Sequence, residues 1–115
     1  MMNSREIDRL VAEKVMEWKR TPYGWDVLEK KYNLGIEWDL PKFSTNIADA
    51  WKVVEKLQKD GWHIELYNEN EKWCFDLTKY NEFISVDRFY RASAEGASLA
   101  ICLAALKACG IDVEV

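Results

Sequence analysis

Residues 62–77 read Trp62-His63-Ile64-Glu65-Leu66-Tyr67-Asn68-Glu69-Asn70-Glu71-Lys72-Trp73-Cys74-Phe75-Asp76-Leu77. Trp62, Ile64 and Leu66 alternate with His63, Glu65 and Tyr67. Beyond a polar interval, Trp73, Phe75 and Leu77 alternate with Lys72, Cys74 and Asp76. A period of two marks a half-buried strand, and two such runs around a short polar link predict a β-hairpin. With Asn68–Glu71 as the turn, Leu66 falls opposite Trp73, Ile64 opposite Phe75 and Trp62 opposite Leu77. All six then share one face, so register and hydrophobic pattern agree. The other face carries His63, Glu65, Tyr67, Lys72, Cys74 and Asp76, with His63 across from Asp76.

On the N-terminal side, Ser44-Thr45-Asn46 offers three N-cap residues. Ile47, Ala50, Trp51, Val54 and Leu57 recur at helical steps, with Lys52, Glu55, Lys56 and Lys59 outward. Gly61 supplies the left-handed stop. On the C-terminal side, a third strand is predicted over 83–90 and a last helix over 94–109. The core stripe of that helix is Leu99, Cys102, Leu103 and Leu106. Its Ala100, Ala104, Ala105 and Ala108 allow close approach, Gly110 ends it, and 111–115 alternates as a short strand would.

A first helix is predicted over 5–19, where Asn3 and Glu6 have capping-box spacing and Ile7, Leu10, Val11, Val15 and Trp18 form a stripe. Thr21-Pro22-Tyr23-Gly24 closes it. In the aromatic segment that follows, 25–32 suits two helical turns ending at Asn33-Leu34-Gly35, and 36–40 suits extended chain before Pro41. Tyr23, Trp25, Tyr32, Trp38 and Phe43 need cover from the domain or from a second subunit. The reading is α+β: one domain over 1–115, an αβα sandwich with an antiparallel sheet of three or more strands, in the order α-(short α)-α-β-β-β-α.

Composition narrows the function. At 49% hydrophobic and 31% charged residues the chain is globular. A net charge of −4 argues against non-specific nucleic-acid binding, which neutralises phosphates with Lys and Arg, and against an anionic membrane surface. The start has no signal-peptide pattern, and the most apolar stretch, 97–108, is too short to span a bilayer. Three cysteines without framework spacing suit a reducing cytoplasm. Cys102 and Cys109 lie about 10 Å apart along one helix, too far for a disulfide. One histidine and no Cys-x-x-Cys leave no expected zinc site, and no cofactor is expected.

Four chemistries compete. The order helix, three strands, helix from Thr45 to Cys109 is that of a double-stranded RNA-binding domain. That fold uses lysines at the start of its last helix, where this chain has Ser93-Ala94-Glu95-Gly96, so duplex binding is not expected. His63, Asp76 and Glu65 offer an acid–base pair, which is also an ordinary cross-strand ion pair. No nucleophile elbow or phosphate loop supports an enzyme. A small anionic ligand would suit two helix starts, Ser44-Thr45 and Ser93, with Arg88 and Arg91 as bidentate partners and Tyr90 for stacking. Lastly, a polar sheet face beside surplus Trp and Tyr suits an interaction module and a homo-oligomer.

Three blocks resemble a known family: 10–18 (LVAEKVMEW), 43–57 (FSTNIADAWKVVEKL) and 92–107 (ASAEGASLAICLAALK). They are similar to the phage ABA-sandwich domain family of bacteriophages and prophages, mainly of Gram-positive hosts. The resemblance implies an α-β-α layered domain in the host bacterial cytoplasm, without assigned catalytic residues. Gly96 and Ser98 depart from the family's more helix-favouring or Pro-containing entry to the last helix, and 23–38 is longer than usual. The expectation is a non-enzymatic binding protein that sequesters a nucleotide-derived immune signal. The alternative is a protein–protein module or an inhibitor of a host protein.

Overall fold

The computed structural model describes residues 2–21, 24–26, 36–37 and 40–113, with backbone alone at 21, 24–26 and 36–37. Helix α1 spans Ser4–Leu10, with Asn3 as N-cap accepting the Glu6 N–H. It runs on as a π-helical turn over Val11–Val15 and stops at Met16, short of the expected Lys19. Glu17 then takes φ 60°, so the chain leaves the helix through a left-handed residue and not at Pro22. Strands β1 (Lys19–Thr21), β2 (Gly24–Asp26) and β3 (Ile36–Glu37) form a small antiparallel sheet. Trp25 and Asp26, expected to open a short helix, therefore lie in a strand. The rest of that expected helix, 27–32, and its stop lie outside the described residues.

Helix α2 (Ile47–Lys59) is capped by Asn46, which accepts the Asp49 N–H. Gly61 at φ 89° and the Trp62 N–H on the Leu57 carbonyl (3.0 Å) close it. Its buried stripe is Ala50, Val53, Val54 and Leu57, while Ile47 and Trp51, expected inside, are exposed.

Strands β4 (His63–Glu69), β5 (Lys72–Tyr80) and β6 (Val86–Ala94) make the main antiparallel sheet, in that order. The β4–β5 turn is Asn70-Glu71, both at positive φ (53° and 65°), the mark of a two-residue type I′ turn whose twist matches that of the strands. The register is displaced by two residues from the expected one: Leu66 faces Phe75, Ile64 faces Leu77 and His63 faces Thr78. An even displacement keeps each side chain on its expected face. β6 extends beyond Tyr90 because Ala92 and Ala94 pair with Phe75 and Trp73. Their small side chains leave room for α3.

Helix α3 (Ala97–Ala108) starts three residues later than expected, since Ala94 is still in β6. Residues 100–106 are all buried. A helix apolar all round belongs inside a core, and α3 packs on β5 and β6 on one side and on α2, α1 and the π-helical turn on the other. The layers thus run from α1 through α3, with α2 beside it, to the sheet. Coverage of the second sheet face by the first helix is excluded, because that helix sits on α3. Residues 111–113 after α3 are not strand, and 114–115 lie outside the described residues.

One buried charge fastens the chain ahead of α2. Asp8 is 0% exposed. It accepts Arg5 Nη1 (2.8 Å) and the Ser44 N–H (2.8 Å), while Arg5 also bonds the Leu40 carbonyl (2.8 Å). Phe43 then sits against Trp18, ring centroids 5.6 Å apart.

Candidate functional site

The sheet face away from α3 carries the polar residues of the hairpin. Its centre is Asp76 on β5, buried between exposed Glu65 and Arg91 on the flanking strands. Arg91 on β6 grips it bidentately, Nε to Oδ1 at 2.8 Å and Nη2 to Oδ2 at 2.9 Å. The Tyr67 hydroxyl on β4 donates to the same carboxylate at 3.2 Å. Arg91 is therefore held firmly protonated, first by its hydrogen bonds to Asp76 and then by that charge. Loss of solvent contact, reinforced by the Asp76 charge, pushes the Tyr67 hydroxyl above the usual phenol range.

This geometry corrects the His63–Asp76 pair. The observed register sets Glu65, not His63, opposite Asp76. Like charges face each other, and Arg91 resolves the conflict from the third strand. His63 stands edge-on to Tyr80 (5.0 Å). Together His63, Glu65, Asp76, Thr78 and Tyr80 line an open cleft of about 210 Å3. Glu65 has no cationic partner among the described residues.

The residues predicted to bind an anion do not converge. Ser93 lies within β6 opposite Cys74, so it starts no helix. Ser44 gives its N–H to Asp8 and its Oγ to the Ser4 carbonyl (3.2 Å), and the Thr45 N–H bonds Lys42. Arg88 and Arg91 diverge, because three residues along a strand reverse the face. Arg88 lies over Trp62 (5.3 Å), as does Lys79 Nζ (4.6 Å), and Tyr90 meets the same indole edge-on (5.8 Å). Arg91 lies over Phe89 (5.3 Å) on the opposite face. Arg88 and Tyr90 thus share a place, while Ser44 and Thr45 are tied to α1 and to their own turn.

The sequence reading missed the β5–β6 turn. Asn81 Oδ1 accepts the Phe83 and Ser85 N–H groups (2.9 and 3.1 Å), and the Ile84 N–H returns to the Asn81 carbonyl (3.0 Å). This fixed loop displays Phe83 at 80% and Ile84 at 83% exposure, next to exposed Tyr80, Val86 and Phe89. Ile84 holds φ 60°, which a β-branched residue adopts only under strain. The available signal was Phe83-Ile84 following Asn81, read as the start of a strand.

Among the described residues no His, Cys, Asp and Glu cluster could hold a metal ion. Nor is any helix among them long and apolar enough to cross a membrane.

A three-stranded antiparallel sheet with its helices packed as these are defines a small layered α+β domain. The phage ABA sandwich domain matches residues 9–106, so this chain belongs to that family. It is similar over 99% of its length to 94% of a phage protein from Bacillus cereus ATCC 14579, whose crystal structure at 2.0 Å superimposes with a TM-score of 0.67 at 26% identity. No curated protein matches the sequence.

Proposed function

We propose that this phage protein is a non-enzymatic binding module that engages a host protein through the open sheet face and the β5–β6 turn. The observation that carries the reading is the turn: two large apolar side chains more than three-quarters exposed, held in a fixed and strained loop. Exposed apolar groups on a rigid support are a recurrent feature of protein interfaces. The adjoining cleft adds chemistry, since aromatic walls and the unpaired Glu65 suit a basic side chain from the partner. The His63–Asp76 pair suggested for acid–base work is not formed, since Glu65 takes the place opposite Asp76.

The narrower reading, sequestration of a nucleotide-derived immune signal, retains one support. Lys79 and Arg88 both lie over buried Trp62, two adjacent cations suited to a phosphate. It loses Arg91, committed to Asp76, and Ser93, which lies in β6 and starts no helix.

The test is affinity capture from bacterial host lysate with the natural protein and with Phe83→Ser/Ile84→Asn. A host protein retained by the first and lost by the second supports the module. Identical captures would refute it.

A further inference from the structure

Lys79 on β5 and Arg88 on β6 stand directly opposite each other, one step before the register shift that leads into the β5–β6 turn. Like charges directly opposite on neighbouring strands destabilise a sheet. The same sheet meets another like pair, Glu65 and Asp76, with Arg91, which holds Asp76 at 2.8 and 2.9 Å. Nothing comparable serves Lys79 and Arg88. Among the described residues Lys79 has no carboxylate partner, and Arg88 has only Asp87, at 3.8 Å and outside the strand alternation. Both heads are drawn over one ring, with Lys79 Nζ at 4.6 Å and the Arg88 guanidinium at 5.3 Å from the Trp62 centroid. That indole is 8% exposed, so it gives the cations an apolar floor that keeps water from one side of them.

We infer that Lys79 and Arg88 form an oxyanion site that takes one phosphate group. A phosphate monoester carries about −1.5 to −2 charge at pH 7 and three strong acceptor oxygens, so one such group neutralises both cations. A carboxylate would leave one of them uncompensated. Residues directly opposite across two strands have Cβ atoms about 5 Å apart, so both heads reach one anion, Arg88 as a fork and Lys79 as a point charge. Trp62 is buried beneath these cations and against the edge of Tyr90, and offers no open ring face to a base. Recognition is therefore of the phosphate group alone. The inference deepens the narrower reading above and rests on the same two cations, but it does not require the host-protein module.

The test is titration with inorganic phosphate in chloride buffer at constant ionic strength, followed by calorimetry and by the Trp62 indole N–H resonance. The natural chain should show saturable one-to-one binding. Lys79→Met keeps an apolar stem over Trp62 and removes the charge. That variant and Arg88→Gln should each weaken binding about tenfold or more, whereas Lys72→Gln at the far end of β5 should not. Adenosine monophosphate that binds no better than phosphate supports the site and counts against sequestration of a nucleotide; tighter binding, lost in the same two variants, supports both. Absence of saturable phosphate binding, binding that the two variants leave intact, or adenosine binding as tightly as adenosine monophosphate would overturn the inference. Phe83→Ser/Ile84→Asn should bind phosphate as the natural chain does, so failure of host-protein capture and failure of the anion site are read separately.

Discussion

Asp8→Ala should destabilise the protein by about 3 kcal/mol. The carboxylate is fully buried and makes two charge-assisted bonds of 2.8 Å, one from Arg5 and one from the Ser44 N–H. Removing it strands a buried donor, which costs about 1–3 kcal/mol, and ends a bond to a charged group of similar worth. The Arg5 guanidinium loses an anchor but is half exposed and regains water, which moderates the sum. Asp8→Asn keeps an oxygen for the Ser44 N–H while turning an amide away from or against Arg5, so about 1–2 kcal/mol is expected. Urea unfolding followed by tryptophan fluorescence measures both, since buried Trp18 packs on Phe43 beside Ser44. The urea slope should be unchanged, and the Asp8→Ala melting temperature should fall by roughly 10 °C. A loss under about 1 kcal/mol for Asp8→Ala, or equal losses for the two variants, would refute the claim that this carboxylate fastens the segment before α2.

Other outcomes follow from the same structure. Ile84→Asn should raise the melting temperature, because asparagine tolerates the positive φ that strains isoleucine; a lower value would show that Ile84 is held by packing. Asp76→Asn should lower the melting temperature by several degrees and bring the Tyr67 hydroxyl titration back towards the usual phenol value, since it removes a charge opposing ionisation; an unmoved titration would contradict the Tyr67–Asp76 contact. Of the three thiols only Cys109 should react with a disulfide reagent in the native state. Partial burial, the largest cause, raises its thiol and lowers its thiolate fraction, so the reaction should be slower than for a free thiol at pH 8 and should accelerate as the pH rises. Fast labelling of Cys102, whose thiol burial pushes well up, would mean that the α3 core opens.

Much of this fold is legible in the sequence because local rules decide it. Asn3 and Asn46 cap the helices they should, Gly61 and Gly110 end them at positive φ, and the alternation of 62–77 assigns every hairpin side chain to its face. The hairpin register was not legible. Within two strands, His63 opposite Asp76 is the better electrostatic match, and the observed Glu65–Asp76 apposition looks unfavourable. Only Arg91, fifteen residues beyond Asp76, makes it stable. The same long-range effect hid Asp8, whose own helix gives no sign of its burial under Ser44. β6 was misplaced because Phe83 and Ile84 look like strand residues, whereas the capacity of Asn81 to close a turn over them has no hydrophobic signature. The predicted anion site failed for a related reason: alternation along a strand separates Arg88 from Arg91, which a helix-start reading had placed together.

Native mass spectrometry of the protein isolated from bacterial cells tests the binding module most directly. The account predicts a protein-sized partner on the natural chain, absent from Phe83→Ser/Ile84→Asn. A nucleotide-sized mass that persists in that variant, with no protein partner on either, would contradict it.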